Sequence, residues 1–293
     1  MTVDVLFPYY GDVELMKQAV RSVLNQQNPD FRLVVVDDGY PDDSIPGWFE
    51  SLNDERVSYE RNEKNLGANG NYRKCLTKIE NDLAVVMGAD DIMLPNYLDW
   101  LVNAAENNPD VDIFQPGVIS IDENGAYSNT LVEKVKSAYR PKGKGQRIIQ
   151  GESAAASLLR GDWLYFPSLA WRTGKMKEIS FRPEYDVVQD LALVLDILMR
   201  GGSLLLDDCV AFLYRRHSGS DSSWRALEGT RFTEERAFFE TMSHEMTELG
   251  WKKASRIAKI HLSSRLHALT LLPKAALKNN KKGVKNLTRH LVK

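Results

Sequence analysis

Two short apolar runs, each ending on adjacent carboxylates, constrain this chain more than any other feature. Leu33-Val34-Val35-Val36 runs into Asp37-Asp38-Gly39, and Val85-Val86-Met87 runs into Gly88-Ala89-Asp90-Asp91. Runs this short and unalternating, bounded by Gly and Asp, read as strands buried on both faces, as in helix-covered parallel sheets. Ligands of such sheets bind beyond the carboxyl ends of the strands. Both runs therefore bring acidic pairs to one edge. Four carboxylates there repel one another, which calls for a cation, a polyhydroxylated ligand, or both.

The flanking sequence fits that frame. Residues 3–7, 31–36, 57–60 and 83–87 read as successive strands. A helix after Asp12, its N-cap, carries Val13, Met16, Val20, Val23 and Leu24 on one face. The Gly/Asn-rich loop 65–71 feeds a helix expected over 72–79. Leu94-Pro95 opens another, with Pro in the first turn and Leu98, Leu101, Val102 and Ala105 inward. This alternation predicts a doubly wound, mostly parallel sheet. Further on, residues 112–122 read as a strand followed by a Glu123-Asn124-Gly125 turn. Residues 133–147, basic and punctuated by Gly and Pro, read as a mobile loop. Gln189-Asp190 opens a helix with Leu191, Val194, Leu195 and Leu198 on its apolar face, stopped by Gly201-Gly202. Residues 204–213 read as the last strand, and from Trp224 the pattern is helical.

A chain of 293 residues is long enough for one large α/β domain with an appendage, or for two modest domains. Its two cysteines, Cys75 and Cys209, form no disulfide framework or zinc pattern, which points to a reducing cytoplasm. The first residues lack the basic flank and apolar core of a signal peptide, and no apolar stretch is long enough to span a bilayer. The net charge of −2 conceals an asymmetry: twelve of the 38 Lys and Arg residues, and no Asp or Glu, lie from Trp251 onward.

In order along the chain, Val36-Asp37-Asp38-Gly39, Asn65-Leu66-Gly67, Gly88-Ala89-Asp90-Asp91, Val187-Val188-Gln189-Asp190-Leu191 and Tyr214-Arg215-Arg216-His217 resemble the motifs of family 2 glycosyltransferases with the GT-A fold. The resemblance runs from Val3 to about Ser223. It implies a Rossmann-like, mostly parallel sheet flanked by helices over 1–223, with a nucleotide-binding half (1–107) and an acceptor half (108–223), followed by a basic helical region (224–293). The family's usual Ser after Asp-Asp-Gly is Tyr40 here.

The resemblance also implies roles. Pro8 and Tyr9 would line the base pocket, with Asp38 on the base and Asn65 and Gly67 in the nucleotide loop. Asp90 would meet ribose or sugar hydroxyls, and Asp91 would hold Mn²⁺ or Mg²⁺ against the donor's phosphates. Arg215 and His217, with Arg216, would belong to a loop closing over the pyrophosphate. Asp190 would be the general base of an inverting transfer, with Glu184 and Asp186 as fallbacks. The aromatic run at 161–166 places Trp163 and Tyr165 as acceptor-stacking candidates or as core. The implied donor is a UDP- or dTDP-sugar. The implied acceptor is a saccharide or lipid-linked saccharide of cell-envelope synthesis.

Ala258, Leu262, Leu266 and Leu269, and separately Val284, Leu287 and Leu291, fall on helical faces among Lys and Arg. Three readings stay open for this tail: an interfacial segment on the anionic inner face of the cell membrane, packing on the acidic body, or a homodimer interface. Nucleic acid is disfavoured because no recognition motif accompanies the charge. A nucleotidyltransferase is the enzymatic alternative, but it would want a Gly-rich, basic loop after the first strand, where Pro8-Tyr9-Tyr10-Gly11-Asp12 stands. A non-catalytic nucleotide-sugar-binding module is the third reading.

Overall fold

Strand and helix alternate through the first hundred residues of a computed structural model that describes residues 1–216, 230–277 and 280–292. Strands β1 (Val3–Tyr9), β2 (Phe31–Asp37), β3 (Val57–Arg61) and β4 (Leu83–Val86) pair in parallel in the order β3-β2-β1-β4. Val5 lies beside Leu33 on one side and Val85 on the other. Strand geometry sends successive side chains to opposite faces. Val5, Phe7, Leu33, Val35 and Val85 therefore pack under α1 (Val13–Leu24), α2 (Ser44–Ser51) and α4 (Tyr97–Asn107). Leu6, Val34, Val36 and Val86 pack on the other face with Cys75 and Leu76 of α3 (Gly67–Leu76). Coverage on both faces is why these strands lack polar alternation. The Asp12 side chain accepts from the backbone N–H of Glu14 and Leu15, starting α1 as expected.

The sheet as a whole is mixed, where the strand runs had pointed to a mostly parallel one. Short β8 (Ala170–Arg172) inserts antiparallel between β4 and β6 (Ile113–Ile121). Parallel to β6 runs β9 (Ser203–Arg215), whose other edge takes β5 (Ile92–Met93) and β7 (Arg147–Gln150) antiparallel. Two- to four-residue strands carry too little pattern to be read from sequence. The β6–β9 register shifts at Gly117, where a Cβ would lie 2.8 Å from the Asp208 carbonyl.

Three expected boundaries move. Helix α3 starts at Gly67, five residues before the expected 72, because Gly67 adopts φ +76° and its N–H is accepted by the Asn65 side chain. Pro95 precedes rather than opens α4, whose cap is Asn96. The segment 133–147 is no loop at its start: Thr130 caps helix α5 (Leu131–Tyr139), and the Gly and Pro residues that signalled a loop cluster only after it.

The acceptor half adds α6 (Gly151–Arg160), α7 (Thr173–Ile179) and α8 (Gln189–Met199). Beyond β9 come α9 (Thr230–Glu248), α10 (Lys252–Ile260), α11 (Leu262–Leu277) and α12 (Lys281–Val292). Phe238, Met242, Met246, Ala254 and Ala258 join the same core as α6 and α8, so α9 and α10 belong to the body. The expected boundary at Ser223 and Trp224 lies outside the described residues. His261, at φ +33°, ends α10, so Ala258 and Leu262 sit on different helices rather than one face. Ala258 is buried while Leu262, Leu266 and Leu269 are exposed. Leu287, with Val284 and Leu291 against it, packs on Phe232, Ala268 and Ala275. Among the described residues, no helix is long and apolar enough to cross a membrane.

Candidate active site

The carboxyl ends of β1 and β2 place Pro8, Tyr9, Asp37 and Asp38 side by side, Tyr9 pairing with Asp37 in register. Asp37 is wholly buried and structural: its carboxylate accepts from the Tyr40 N–H (2.8 Å) and the Tyr59 hydroxyl (2.6 Å). Asp38 reaches forward instead. Its Oδ1 accepts from Asn62 Nδ2 and the Leu66 N–H, each at 2.8 Å, while Asn65 Nδ2 donates to its carbonyl. Asn65 and Gly67 thus brace the loop around Asp38. Tyr40, the departure from the family pattern, packs its ring 5.6 Å from Tyr9 and 5.2 Å from Tyr10. Tyr9 itself is fully buried, so Tyr40 and the half-exposed Tyr10, which was not singled out in the sequence, are the rings this end of the sheet presents to solvent.

Beyond β4 the chain turns at Gly88, where a Cβ would lie 2.4 Å from Asp91 Oδ2. Only glycine lets that carboxylate fold back so closely. Asp91 is buried, its Oδ1 accepting from the Arg215 N–H at 2.7 Å and its Oδ2 lacking any hydrogen-bond partner. Burial and the neighbouring Asp90 push its carboxyl well above the usual range, opposed by the Arg215 N–H. A buried oxygen without a partner is costly unless something absent here completes it. A hard divalent cation suits it, since Mg²⁺-like ions take one or two carboxylates plus phosphate oxygens. Among the described residues there is no preformed cluster of three or more His, Cys, Asp or Glu for a metal.

Arg215 is a clamp rather than a lid. It is buried, donates from Nε to the Asp90 carbonyl (2.8 Å), and reaches the Asp122 and Glu123 carbonyls and Gln18. It fixes the acidic turn from behind. Arg216 turns the other way, to Glu133 of α5, over the Tyr214 ring. His217 lies outside the described residues.

Asp190 stands in the first turn of α8, partly buried, accepting from the Leu191 N–H at 2.7 Å. Burial, then the charge of Asp162, raises its pKa to about 7, against the pull of Lys136 and Arg231. Asn69 of α3 donates to the carbonyls of Arg182 and Tyr185, and Glu234 of α9 accepts from the Val187 and Val188 N–H groups. The segment leading to Asp190 is therefore held from both sides. Glu184 and Asp186 are exposed. Two tyrosines tie the halves together: burial raises the pKa of both Tyr72 and Tyr214, and Asp90, Asp91 and Asp190 each raise both further. Asp90, Asp91 and Asp190 thus all act electrostatically on Tyr72 and on Tyr214.

The acceptor candidates separate. Trp163 is fully buried, its Nε1 bonded to Ser157, and belongs to the core. Tyr165 donates to Glu133 and packs edge-on to Tyr214, close to the cleft. Sequence reasoning missed Glu133, Lys136 and Arg231. Their only signal was charge in segments read as loop or tail.

Comparison with known proteins agrees with this architecture. The family model for glycosyl transferase family 2 matches residues 4–165. The chain is 30% identical over 143 residues to the uncharacterized glycosyltransferase MJ1057 of Methanocaldococcus jannaschii, covering 48% of each. It is 26% identical over 129 residues to an uncharacterized glycosyltransferase of Rickettsia bellii, covering 44% of this chain and 18% of that one. It thus spans about half or less of the length of these relatives. The crystal structure of S. aureus TarS 1-349 superposes with a TM-score of 0.63 at 14% identity, covering 99% of this chain and 90% of that one. The same TarS fragment in complex with UDP-GlcNAc gives 0.60 at 13% identity, with the same coverage. The fold, GT-A with a C-terminal helical segment, is shared end to end, and the chain belongs to glycosyl transferase family 2.

Proposed function

We propose that this chain is an inverting transferase that moves a sugar from a UDP- or dTDP-sugar to the hydroxyl of a saccharide or lipid-linked saccharide in cell-envelope synthesis. One observation carries the reading: Asp91 keeps a buried oxygen without a hydrogen-bond partner, which suits a divalent cation, and Asp190, raised to about 7, acts together with it on Tyr72 and Tyr214. That TarS, of the same fold, is known in complex with UDP-GlcNAc and UDP supports a uridine donor.

Pro8, Tyr9 and Asp38 hold the base, with Tyr40 closing that pocket, and Asp90 holds donor hydroxyls. Asp91 would hold a divalent cation, which when bound would offset charge on the pyrophosphate. The acceptor hydroxyl gives its proton to Asp190 as its oxygen bonds to the anomeric carbon. The bond from that carbon to the β-phosphate oxygen breaks, and the nucleoside diphosphate leaves from the opposite face with inversion. A pKa near 7 suits a base working at neutral pH. Arg215 holds the acidic turn in place from behind.

The test is thermal shift across UDP- and dTDP-sugars with and without Mn²⁺, followed by nucleotide release with acceptor mixtures. A ligand that binds only the folded state raises its melting temperature. The expected result is a Mn²⁺-dependent shift with one donor and release of its nucleotide. Shift without release under every acceptor condition supports a binding module instead.

A further inference from the structure

Helix α5 is built inside out. Glu133 and Lys136, at i and i+3, point inward, as does Arg140 just past the helix end, with Glu133 accepting from the Tyr165 hydroxyl and Arg216, Lys136 donating to the Leu164 carbonyl, and Arg140 donating to the Asp207 carbonyl. The apolar residues point out: Leu131 is 76% exposed, Val132 50% and Val135 45%, and no residue of the helix is buried. A surface helix ordinarily shows the reverse arrangement.

The charge along this segment is one-sided. From Leu131 to Arg147 the chain has six Lys or Arg and one acid, and that acid, Glu133, is turned inward; Lys134, Lys142 and Lys144 are exposed. A second copy seated here face to face would set like charges against each other. Exposed apolar side chains with Lys134 among them, and Lys142 and Lys144 exposed in the segment that follows, instead match an anionic bilayer, where the former enter the headgroup boundary and the latter meet lipid phosphates. The inward side of the same helix sends Lys136 to within 4.6 Å of the Tyr165 ring, and its charge acts on Asp190. We infer that α5 seats on an anionic lipid surface and opens the acceptor side of the cleft onto it, so that the acceptor is lipid-linked. This inference rests on the transferase reading for the acceptor, and on α5 alone for the lipid contact.

The test sediments full-length protein with vesicles of equal parts phosphatidylglycerol and phosphatidylcholine, and with phosphatidylcholine alone. Binding is expected only to the anionic vesicles. Leu131→Ser with Val135→Ser should weaken it at least about ten-fold, since two apolar side chains no longer enter the interface. Leu131→Ile with Val135→Leu should preserve it, and unchanged melting curves show that each variant folds. Absence of vesicle binding by the wild type overturns the inference. So does binding that survives the α5 serines and is lost with Leu262→Ser, Leu266→Ser and Leu269→Ser, because the contact would then be α11. A dimer abolished by the α5 serines, without vesicle binding, also overturns it. Thermal shift with the donor sugar in the same samples reports on the transferase reading separately and should not differ among these variants.

Discussion

Asp190 opens a helix, where the free N–H groups of the first turn favour a charged carboxylate, yet burial beside Asp162 drives its pKa up to about 7. Its proton is therefore held more tightly folded than unfolded. Stability from this group is full at acid pH and is lost as pH climbs toward and through about 7. Asp190→Asn should accordingly match the wild type's melting temperature near pH 4 and exceed it at pH 8, by about 2–4 °C. Transfer should run the opposite way: wild-type kcat rises with pH to a plateau above about 7, and the Asn variant loses about 10²–10⁴ in kcat with donor binding intact. Melting curves and pH–rate profiles check both. Asp91 and Gly88 act as a pair. Asp91→Asn removes a buried, repelled charge and should be no less stable without metal, while Gly88→Ala drives a Cβ into Asp91 Oδ2. Both should lose the melting-temperature gain that Mn²⁺ and nucleotide give the wild type together.

At the scale of elements, the base segment depends on helices distant in sequence. Arg182 pairs with Asp196 of α8 and Glu245 of α9 through four hydrogen bonds of 2.6–2.9 Å. Arg182→Ala leaves both carboxylates without that partner and should cost about 2–4 kcal/mol in denaturant unfolding. Elements wrapped on both faces were readable in advance: β1, β2 and β4 announced themselves as apolar runs, and α8 by its apolar face and closing glycines. The acidic turns at Asp38 and Asp91 followed from where those strands end. Helix α5 was not readable as a helix, because Pro141, Gly143 and Gly145 just beyond it, among basic residues, signalled a loop across 133–147. Strands β5, β7 and β8 are too short to carry a pattern, and Trp163 and Tyr165, two residues apart, were separable only by packing.

Across the whole molecule, the charge asymmetry left open how the basic helical region sits, with packing on the body one of three readings. Helices α9 and α10 share the main core, with Glu152 of α6 accepting from the Lys253 and Ala254 N–H groups, whereas α11 and α12 close a smaller cluster. A chain ending after Ile260 should keep cooperative unfolding at a lowered melting temperature. One ending after Gly250, which strips Ala254 and Ala258 from the core, should lose cooperativity; calorimetry distinguishes them. A crystal structure with Mn²⁺ and a non-hydrolysable UDP-sugar examines most directly whether Asp91 and Asp190 serve one cleft. The expected result has the base against Tyr9, Tyr40 and Asp38, the cation on Asp91 Oδ2 and the phosphates, and the anomeric carbon facing Asp190. A nucleotide bound away from Asp91, or a sugar turned away from Asp190, would contradict it.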